Sequence, residues 1–342
     1  MSSISAAIVS YDEEPAQLRA AVESLLSQTR PPIEVLIMDN GEDGRLDGAL
    51  ADAPASVRHI KCPENLGYTA LNLAAERSSG DYLVCLNPDA RAQSDCLEQL
   101  AAVADADASV GIVGAQIVLE DLSTRNAGAN PLHPTGISPS GGFGEPREDG
   151  DPKDAMVASG ACFLARREIY LELGGFVKDF FLYYEDVNLS WRTRIAGRRV
   201  VYCPRAMAAH SYDFGARTQK WFLLERNRMY SVLTNYQLST LLLLAPMLLA
   251  CEAGLLAVAA RGGWLGAKLR AYGSLFALRK HVLASRRAVQ ESRRCSDREL
   301  LGLFQDRLDS ALISGAGAGV ANAFCVPYMA IVRRLLRCPR GG

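Results

Sequence analysis

A chain of 342 residues, 49% hydrophobic and 22% charged, holds enough apolar material for one large folded body plus an appendage, or for two, and excludes wholesale disorder. The net charge of −1 conceals an asymmetry, because residues 261–342 carry 15 Lys+Arg against 5 Asp+Glu, which leaves 22 basic and 33 acidic residues ahead of them. In that basic tail the charges alternate with apolar segments rather than with stacking aromatics, which favours lipid headgroups as its partner over nucleic acid.

The opening MSSISAAIVSYDEE lacks a basic n-region and a long apolar core, so no secretory signal is expected and the cytoplasm is the expected location. Nine cysteines with neither a C-x-x-C pair nor zinc-ligand spacing read as small hydrophobes of a reducing compartment. Apolar, β-branched runs predict strands over Ile4–Ser10, Val35–Asp39, Val57–Ile60, Tyr82–Asn87 and Ile112–Val118. Between them, Leu18, Val22, Leu25 and Leu26 predict a helix within Pro15–Gln28, and Ala70, Leu73, Ala74 and Arg77 another within Thr69–Ser79. This alternation implies an α/β layered fold with a largely parallel sheet. Ligands of such folds gather at the carboxyl ends of strands, which singles out Ser10-Tyr11-Asp12, Asp39-Asn40-Gly41 and Asn87-Pro88-Asp89.

Residues 120–155 are rich in Gly and Pro and read as a long surface loop. Regular structure resumes with a strand over Ala161–Ala165, a helix over Arg166–Leu173 closed by Gly174-Gly175, a helix over Val187–Ala196 closed by Gly197, and a strand over Val200–Cys203. From about Gly215 the chain reads as helical. Leu238–Ala260 contains one acid, Glu252, and one proline, Pro246, and is long enough to span a bilayer, although Glu252 makes a free span costly. Basic clusters follow at Arg261, Lys268 to Arg270, Arg279-Lys280, Arg286-Arg287 and Arg293-Arg294, and a second uncharged run, Leu312–Val332, precedes Arg333, Arg334 and Arg337. The expectation is of helices lying on or dipping into a membrane surface, with a true span and a soluble helical domain as alternatives.

Several of these positions could carry chemistry. Asp89 stands where a strand leaves the sheet, and a carboxylate there can hold a hard divalent cation, although Asn-Pro-Asp is equally good turn chemistry. Asp39-Asn40-Gly41 is either a turn or a hydrogen-bonding edge for a nucleobase or ribose. Asn65-Leu66-Gly67 precedes a helix, where exposed N–H groups favour an anion and an N-terminal cap explains the sequence as well. His210 gains meaning only if it shares a site with Asp89. In FFLYYEDVNLSWR the adjacent acids Glu185 and Asp186 stand before a helix, whose dipole stabilises both. Neighbouring side chains point apart, so the pair cannot straddle a glycosidic bond as hydrolase carboxylates do, while one of them can act as a general base.

The stretch AAIVSYDEEPAQLRAAVESLLSQTRPPIEVLIMDNG resembles the nucleotide-binding opening of family 2 inverting glycosyltransferases, and ENLGYTALNLAAERSSGDYLVCLNPDA resembles their approach to the metal motif. VASGACFLARREIYLELGGF, FFLYYEDVNLSWR, His210 and KWFLLERNRMYSVLTNY are similar to the later half, so the resemblance covers residues 4–236. It implies a GT-A fold, mixed but mostly parallel, over residues 1–215, with a helical and membrane-associating region over 216–342. Asn-Pro-Asp in place of Asp-x-Asp is most similar to the branch that includes rhamnosyltransferases of cell-envelope polysaccharides.

The resemblance also implies roles. Ser10, Asp12, Asp39 and Asn40 would line the nucleoside pocket, with Asn65, Gly67 and Asn87 near the donor. Asp89 and His210 would hold Mg²⁺ or Mn²⁺ on the diphosphate, Asp186 would be the catalytic base, and Gly160, Tyr184 and Glu185 would face the acceptor. The implied substrates are a dTDP- or UDP-sugar, rhamnose among the candidates, and a glycan or lipid-linked acceptor at the inner membrane surface. Two departures weaken the acceptor assignment, since Val177-Lys178 replaces the usual Asp-Glu after Gly-Phe and Asn188 replaces the second aspartate of Glu-Asp-x-Asp. The Gln-x-x-Arg-Trp motif of processive enzymes is missing around TQKWF, which favours transfer of one or a few sugars. Rival readings are a nucleotidyltransferase, which would carry a basic Gly-rich loop in place of SYDEEPAQ, and a non-catalytic nucleotide-sugar-binding module.

Overall fold

The computed structural model describes residues 1–41, 46, 50, 52–210, 218–308 and 316–337. Two units emerge. One comprises Met1–Asn130, Ser140–Thr193 and Arg198–Asp213, and the other Pro131–Pro139, Arg194–Gly197 and Phe214–Gly342. The boundary expected at 215/216 falls within 211–217, outside the described residues.

The first unit is built on strands β1 (Ile4–Ser10), β2 (Glu34–Asp39), β3 (Val57–Lys61), β4 (Tyr82–Leu86), β5 (Ala90–Ala92), β6 (Val110–Val118), β7 (Arg125–Ala127), β8 (Lys153–Asp154), β9 (Cys162–Arg166) and β10 (Arg199–His210). Their order across the sheet is β3-β2-β1-β4-β9-β6-β10-β5, with β7 paired to β6 and β8 to β10. β1 pairs in parallel with β2 and β4, and β3 with β2, whereas β9 is antiparallel to both β4 and β6. Because β9 reverses direction twice over, β6 and its parallel neighbour β10 run the same way as β1 to β4. The carboxyl ends of all these strands therefore share one edge.

Every residue of β1, β2, β4 and β6 is buried, as strands covered on both faces must be. Helices α1 (Pro15–Leu26), α2 (Ala70–Arg77), α3 (Cys96–Ala106), α4 (Arg167–Glu172) and α5 (Glu185–Ile195) supply this cover. In α1, Pro15 stands in the first turn, where its missing N–H costs nothing, and Leu18, Ala21, Val22 and Leu25 form the buried stripe. The same spacing in Leu97, Leu100, Ala101 and Ala104 makes α3, a helix the sequence reading passed over.

Three expectations need correction. The strand expected over Val200–Cys203 runs on to His210, because a register shift between Cys203 and Met207 carries the strand past Pro204. The helix expected from Val187 begins at Glu185, which puts the acidic pair in its first turn. The presumed surface loop 120–155 includes β7 and β8 and buries Leu132, His133 and Thr135.

The second unit is helical, with α6 (Thr218–Asn235), α7 (Leu238–Arg261), α8 (Leu265–Ala277), α9 (Arg279–Glu291), the short α10 (Asp297–Leu300) and α11 (Ala316–Arg337). α6 packs on α8 and α9, and α7 on α8 and α11. Trp221 stacks on Trp264 at 4.8 Å between ring centres, and Tyr236 donates to the Pro134 carbonyl at 2.9 Å. The acid expected to trouble a free span is compensated. Glu252 of α7 pairs with Arg228 of α6 and with Lys268 of α8, accepts a hydrogen bond from Tyr272 at 2.6 Å, and shares both cations with Glu225. Burial opposes its charge, but Arg228 and Lys268 prevail and hold the carboxyl at about 2. α7 is long and apolar enough to cross a membrane, and little of it is buried. Of the second apolar run, residues 312–315 lie outside the described residues and the remainder lies in α11.

Candidate active site

On the side expected to take the nucleotide, β1 ends at Ser10, whose hydroxyl donates to Glu13 Oε2 at 2.5 Å, while Asp12 is exposed just beyond it. Asp39 ends β2 beside Ser10 in register, with one carboxylate oxygen accepting the Gly41 N–H at 2.8 Å and the other facing His59 Nε2 at 3.0 Å and Lys61 Nζ at 3.2 Å. Burial works against this carboxylate, yet these three partners outweigh it and keep the pKa below its ordinary value. Glu13, His59 and Lys61 were missed from sequence. The last two sit at alternate positions of β3, and only its parallel register on β2 reveals that they face Asp39.

Asn40 and Asn65 shape the backbone here. Asn40 Oδ1 accepts the Leu66 N–H and its Nδ2 donates to the Gly67 carbonyl, both at 3.0 Å, while Asn65 Oδ1 accepts the Gly67 N–H at 2.9 Å. The Tyr68 N–H goes to the Phe181 carbonyl at 2.7 Å. Three successive N–H groups are thus occupied within the protein, although neither the Gly67–Thr69 turn nor α2 carries a side-chain cap bond. Gly67 has φ +58°, and a Cβ there would lie 2.3 Å from the Phe181 carbonyl oxygen.

The cation candidates come together. β5 is antiparallel to β10 with His210 opposite Ala90, and this short strand sets Asp89 against His210 across 121 residues of sequence. Asp89 Oδ1 lies 3.1 Å from His210 Nε2, and Asn87 Nδ2 lies 3.4 Å from the same nitrogen. Burial resists the charge of Asp89, but the His210 hydrogen bond and charge lower the carboxyl below its usual value. The Asp89 side chain keeps 38% of its surface exposed, whereas His210 is buried. Among the described residues no third His, Cys, Asp or Glu joins them. One carboxylate and one imidazole, open on one side, fit a hard cation that takes its other ligands from substrate oxygens and water.

On the other side, Asp186 Oδ2 accepts the Gly160 N–H at 2.8 Å and Oδ1 the Val187 N–H at 2.7 Å. A Cβ on Gly160 would press on the Asp186 carboxyl at 3.3 Å. Burial raises the Asp186 pKa against the pull of these N–H donors. Glu185 turns inward, with its Oε2 buried and without a hydrogen-bond partner among the described residues, and burial together with the Asp186 charge raises its pKa to about 8. Phe181, Tyr183 and Tyr184 hold positive φ values of 64°, 67° and 74°, strain of about 1–3 kcal/mol each that the surrounding contacts must sustain. Asn188, in the place of the expected aspartate, is buried and accepts from Arg192 Nε at 2.7 Å, while Arg192 also binds the Leu173 carbonyl at 2.6 Å. Its role here is to hold α5 to the end of α4.

Between the two halves stands Tyr68, fully enclosed, which sequence reading did not single out. Its hydroxyl donates to Asn87 Oδ1 at 2.6 Å and to the Gly160 carbonyl at 2.8 Å. Hydrogen bonds therefore run from Asp89 and His210 through Asn87, Tyr68 and Gly160 to Asp186.

Comparison with known proteins bears on the family and the fold. The family model described as glycosyl transferase family 2 matches residues 5–174. An O-antigen biosynthesis protein of Myxococcus xanthus, RfbC, is 30% identical over 59% of this chain and 17% of its own length, so this chain matches only a small part of that protein. An N-acetylglucosaminyl-diphospho-decaprenol L-rhamnosyltransferase of Mycobacterium tuberculosis is 29% identical over 59% of this chain and 74% of its own length. Among solved structures, GalNAc-T7 with UDP, GalNAc and Mn²⁺ aligns at a TM-score of 0.57 and 16% identity, covering 68% of this chain and 48% of that one. The mannosyltransferase PcManGT of Pyrobaculum calidifontis, with GDP-Man and Mn²⁺, aligns at 0.52 and 19% identity, covering 85% and 86%. These two likenesses bear on the fold, which is GT-A with flanking and C-terminal helices.

Proposed function

Since the chain belongs to glycosyl transferase family 2, we propose that it is an inverting glycosyltransferase that uses Asp186 as base and an Asp89–His210 pair as the protein ligands of a divalent cation. The observation that carries this is the hydrogen-bonded path joining that pair to Asp186 at one edge of the sheet.

Each Asp186 oxygen spends one lone-pair direction on a backbone N–H and keeps another for an acceptor hydroxyl. Burial and the Asp186 charge push the Glu185 carboxyl up, whereas the two N–H groups on Asp186 favour its charged form against burial. Asp186 takes the acceptor's proton as its oxygen attacks the anomeric carbon from the face opposite the nucleotide, and a single displacement inverts that centre. A cation bound at Asp89 and His210 would offset the charge of the departing diphosphate, so the leaving group needs no acid. The name of the rhamnosyltransferase relative supports rhamnose as the sugar moved and a lipid-linked diphosphate sugar as acceptor, and dTDP-rhamnose is the donor we propose. We place the chain on the inner face of the membrane, held through the exposed apolar side of α7.

The test is Asp186→Asn with a panel of nucleotide sugars. Transfer should fall by roughly 10³-fold while donor binding changes little, a loss of the size expected for general-base removal. EDTA should stop transfer and Mg²⁺ or Mn²⁺ restore it. Near-normal turnover by the variant would remove Asp186 as base, and indifference to chelator would remove the cation.

A further inference from the structure

Tyr68 is a single side chain in contact with both halves of the candidate site. Its ring is buried and stacks on Phe176 at 5.8 Å, and its backbone is pinned in a 3-10 turn, Gly67–Thr69, by the Phe181 carbonyl. The hydroxyl lies 3.0 Å from Cys85 Sγ, 2.6 Å from Asn87 Oδ1 and 2.8 Å from the Gly160 carbonyl. A tyrosine hydroxyl owns one proton, so it serves these two oxygens alternately or by sharing. Burial deprives it of water as a substitute partner, and the ring admits no other hydroxyl position.

The consequence for Asn87 is directional. With Oδ1 fixed on Tyr68, its amide nitrogen is turned to His210 Nε2 at 3.4 Å. The amide so placed flanks the edge of the imidazole that also faces Asp89 Oδ1 at 3.1 Å, and holds the ring where both side chains can reach one cation. On the opposite side, the residue whose carbonyl Tyr68 holds is the one whose N–H holds Asp186.

We propose that Tyr68 is a positioning residue for sugar transfer, its hydroxyl setting the Asn87 amide towards His210 and the Gly160 backbone beneath Asp186 with the same hydrogen-bonding group. The proposal rests on the assignment of Asp89 and His210 to the cation. Tyr68→Phe keeps the ring packing and deletes only the hydroxyl. Its kcat should fall about 10- to 100-fold, the scale on which small misplacements of reacting groups act, with KM for the acceptor within about twofold. Mn²⁺ binding, measured directly by calorimetry in the presence of nucleoside diphosphate, should weaken about fivefold or more, a change that follows if Asn87 acts on His210. In Asn87→Ala the added Tyr68→Phe should weaken Mn²⁺ no further, because the link is already cut. Mn²⁺ affinity within twofold of the parent's, or additive losses in the double variant, overturns the proposal. Should Tyr68→Phe not fold, unchanged Mn²⁺ affinity in Asn87→Ala overturns it and weakened affinity supports it. A parent protein that binds no Mn²⁺ takes down the cation assignment and this inference together.

Discussion

Glu185 and Asp186 are adjacent in sequence and opposite in circumstance. One carboxyl meets two backbone N–H groups, and the other has a buried oxygen with no hydrogen-bond partner among the described residues. For Glu185 the folded pKa of about 8 stands above its ordinary 4.5, so across that window the folded protein binds more protons than the unfolded chain and stability falls as pH rises. Below about pH 4.5 the group is neutral in both states and contributes no slope. Glu185→Gln is neutral throughout and should match the parent near pH 5 in thermal melts. By pH 8 it should melt higher by roughly 5 °C, given the few degrees per kcal/mol typical of a chain this size. A gap between the two that does not widen with pH would show that Glu185 is not the titrating group. From sequence the pair was legible only as two side chains that diverge, with the resemblance pointing to Asp186 as the base. Which way each points was not legible, since that depends on Gly160, 26 residues away.

Among the elements, β1, β2, β4, β6, α1 and α2 were read within a residue or two because their apolar periodicity is strong, whereas α3 was missed despite a similar stripe. The short and irregular ones were not. β5 has three residues and no periodicity to detect, yet it alone sets Asp89 against His210. β10 hid behind Pro204, which reads as an end until a register shift absorbs it. α7 carried a contradiction in sequence, an acid within an apolar run, and the answer lies on α6 and α8. Arg228 and Lys268 are almost fully enclosed, and Glu252 supplies half of their negative partners. Removing one member of a buried ionic set strands the others, so Glu252→Ala should cost about 3–5 kcal/mol in denaturant unfolding, far beyond an exposed charge such as Glu23. A loss below about 1 kcal/mol would mean that the set is not buried in solution.

For the molecule as a whole, the sequence foretold an acidic front and a basic rear, and the rear is a helical unit with one side of α7 uncovered. Leu238, Leu242, Leu249 and Val258 of α7 are exposed, as are Phe324, Ile331 and Leu335 of α11, with Arg334 between the last two. α7 and α11 are joined by the Tyr328 hydroxyl on the Leu243 carbonyl at 2.7 Å, so their exposed apolar residues belong to neighbouring helices. Glu252, three residues beyond Leu249, is held to α6 and α8 by Arg228 and Lys268, so α7 is tied into the helical unit rather than standing as an isolated span. Vesicles containing phosphatidylglycerol should carry the protein upward in flotation, and Leu242→Glu with Leu249→Glu should reduce the bound fraction at least tenfold, as two lost leucine insertions of about 1.5–3 kcal/mol each require. Equal flotation of parent and variant would exclude α7 as the contact.

The closeness of Gly67 to the Phe181 carbonyl also bears on how such enzymes can be recombined. The nucleotide-side turn and the strained aromatic segment interlock, since a side chain at one would displace the backbone of the other. An engineer who wishes to change the acceptor by transplanting residues 176–186 from a relative must therefore move 65–68 with them. The two segments, more than a hundred residues apart in the chain, make one exchangeable cassette, and a swap that ignores this should fail in folding before its specificity can be judged.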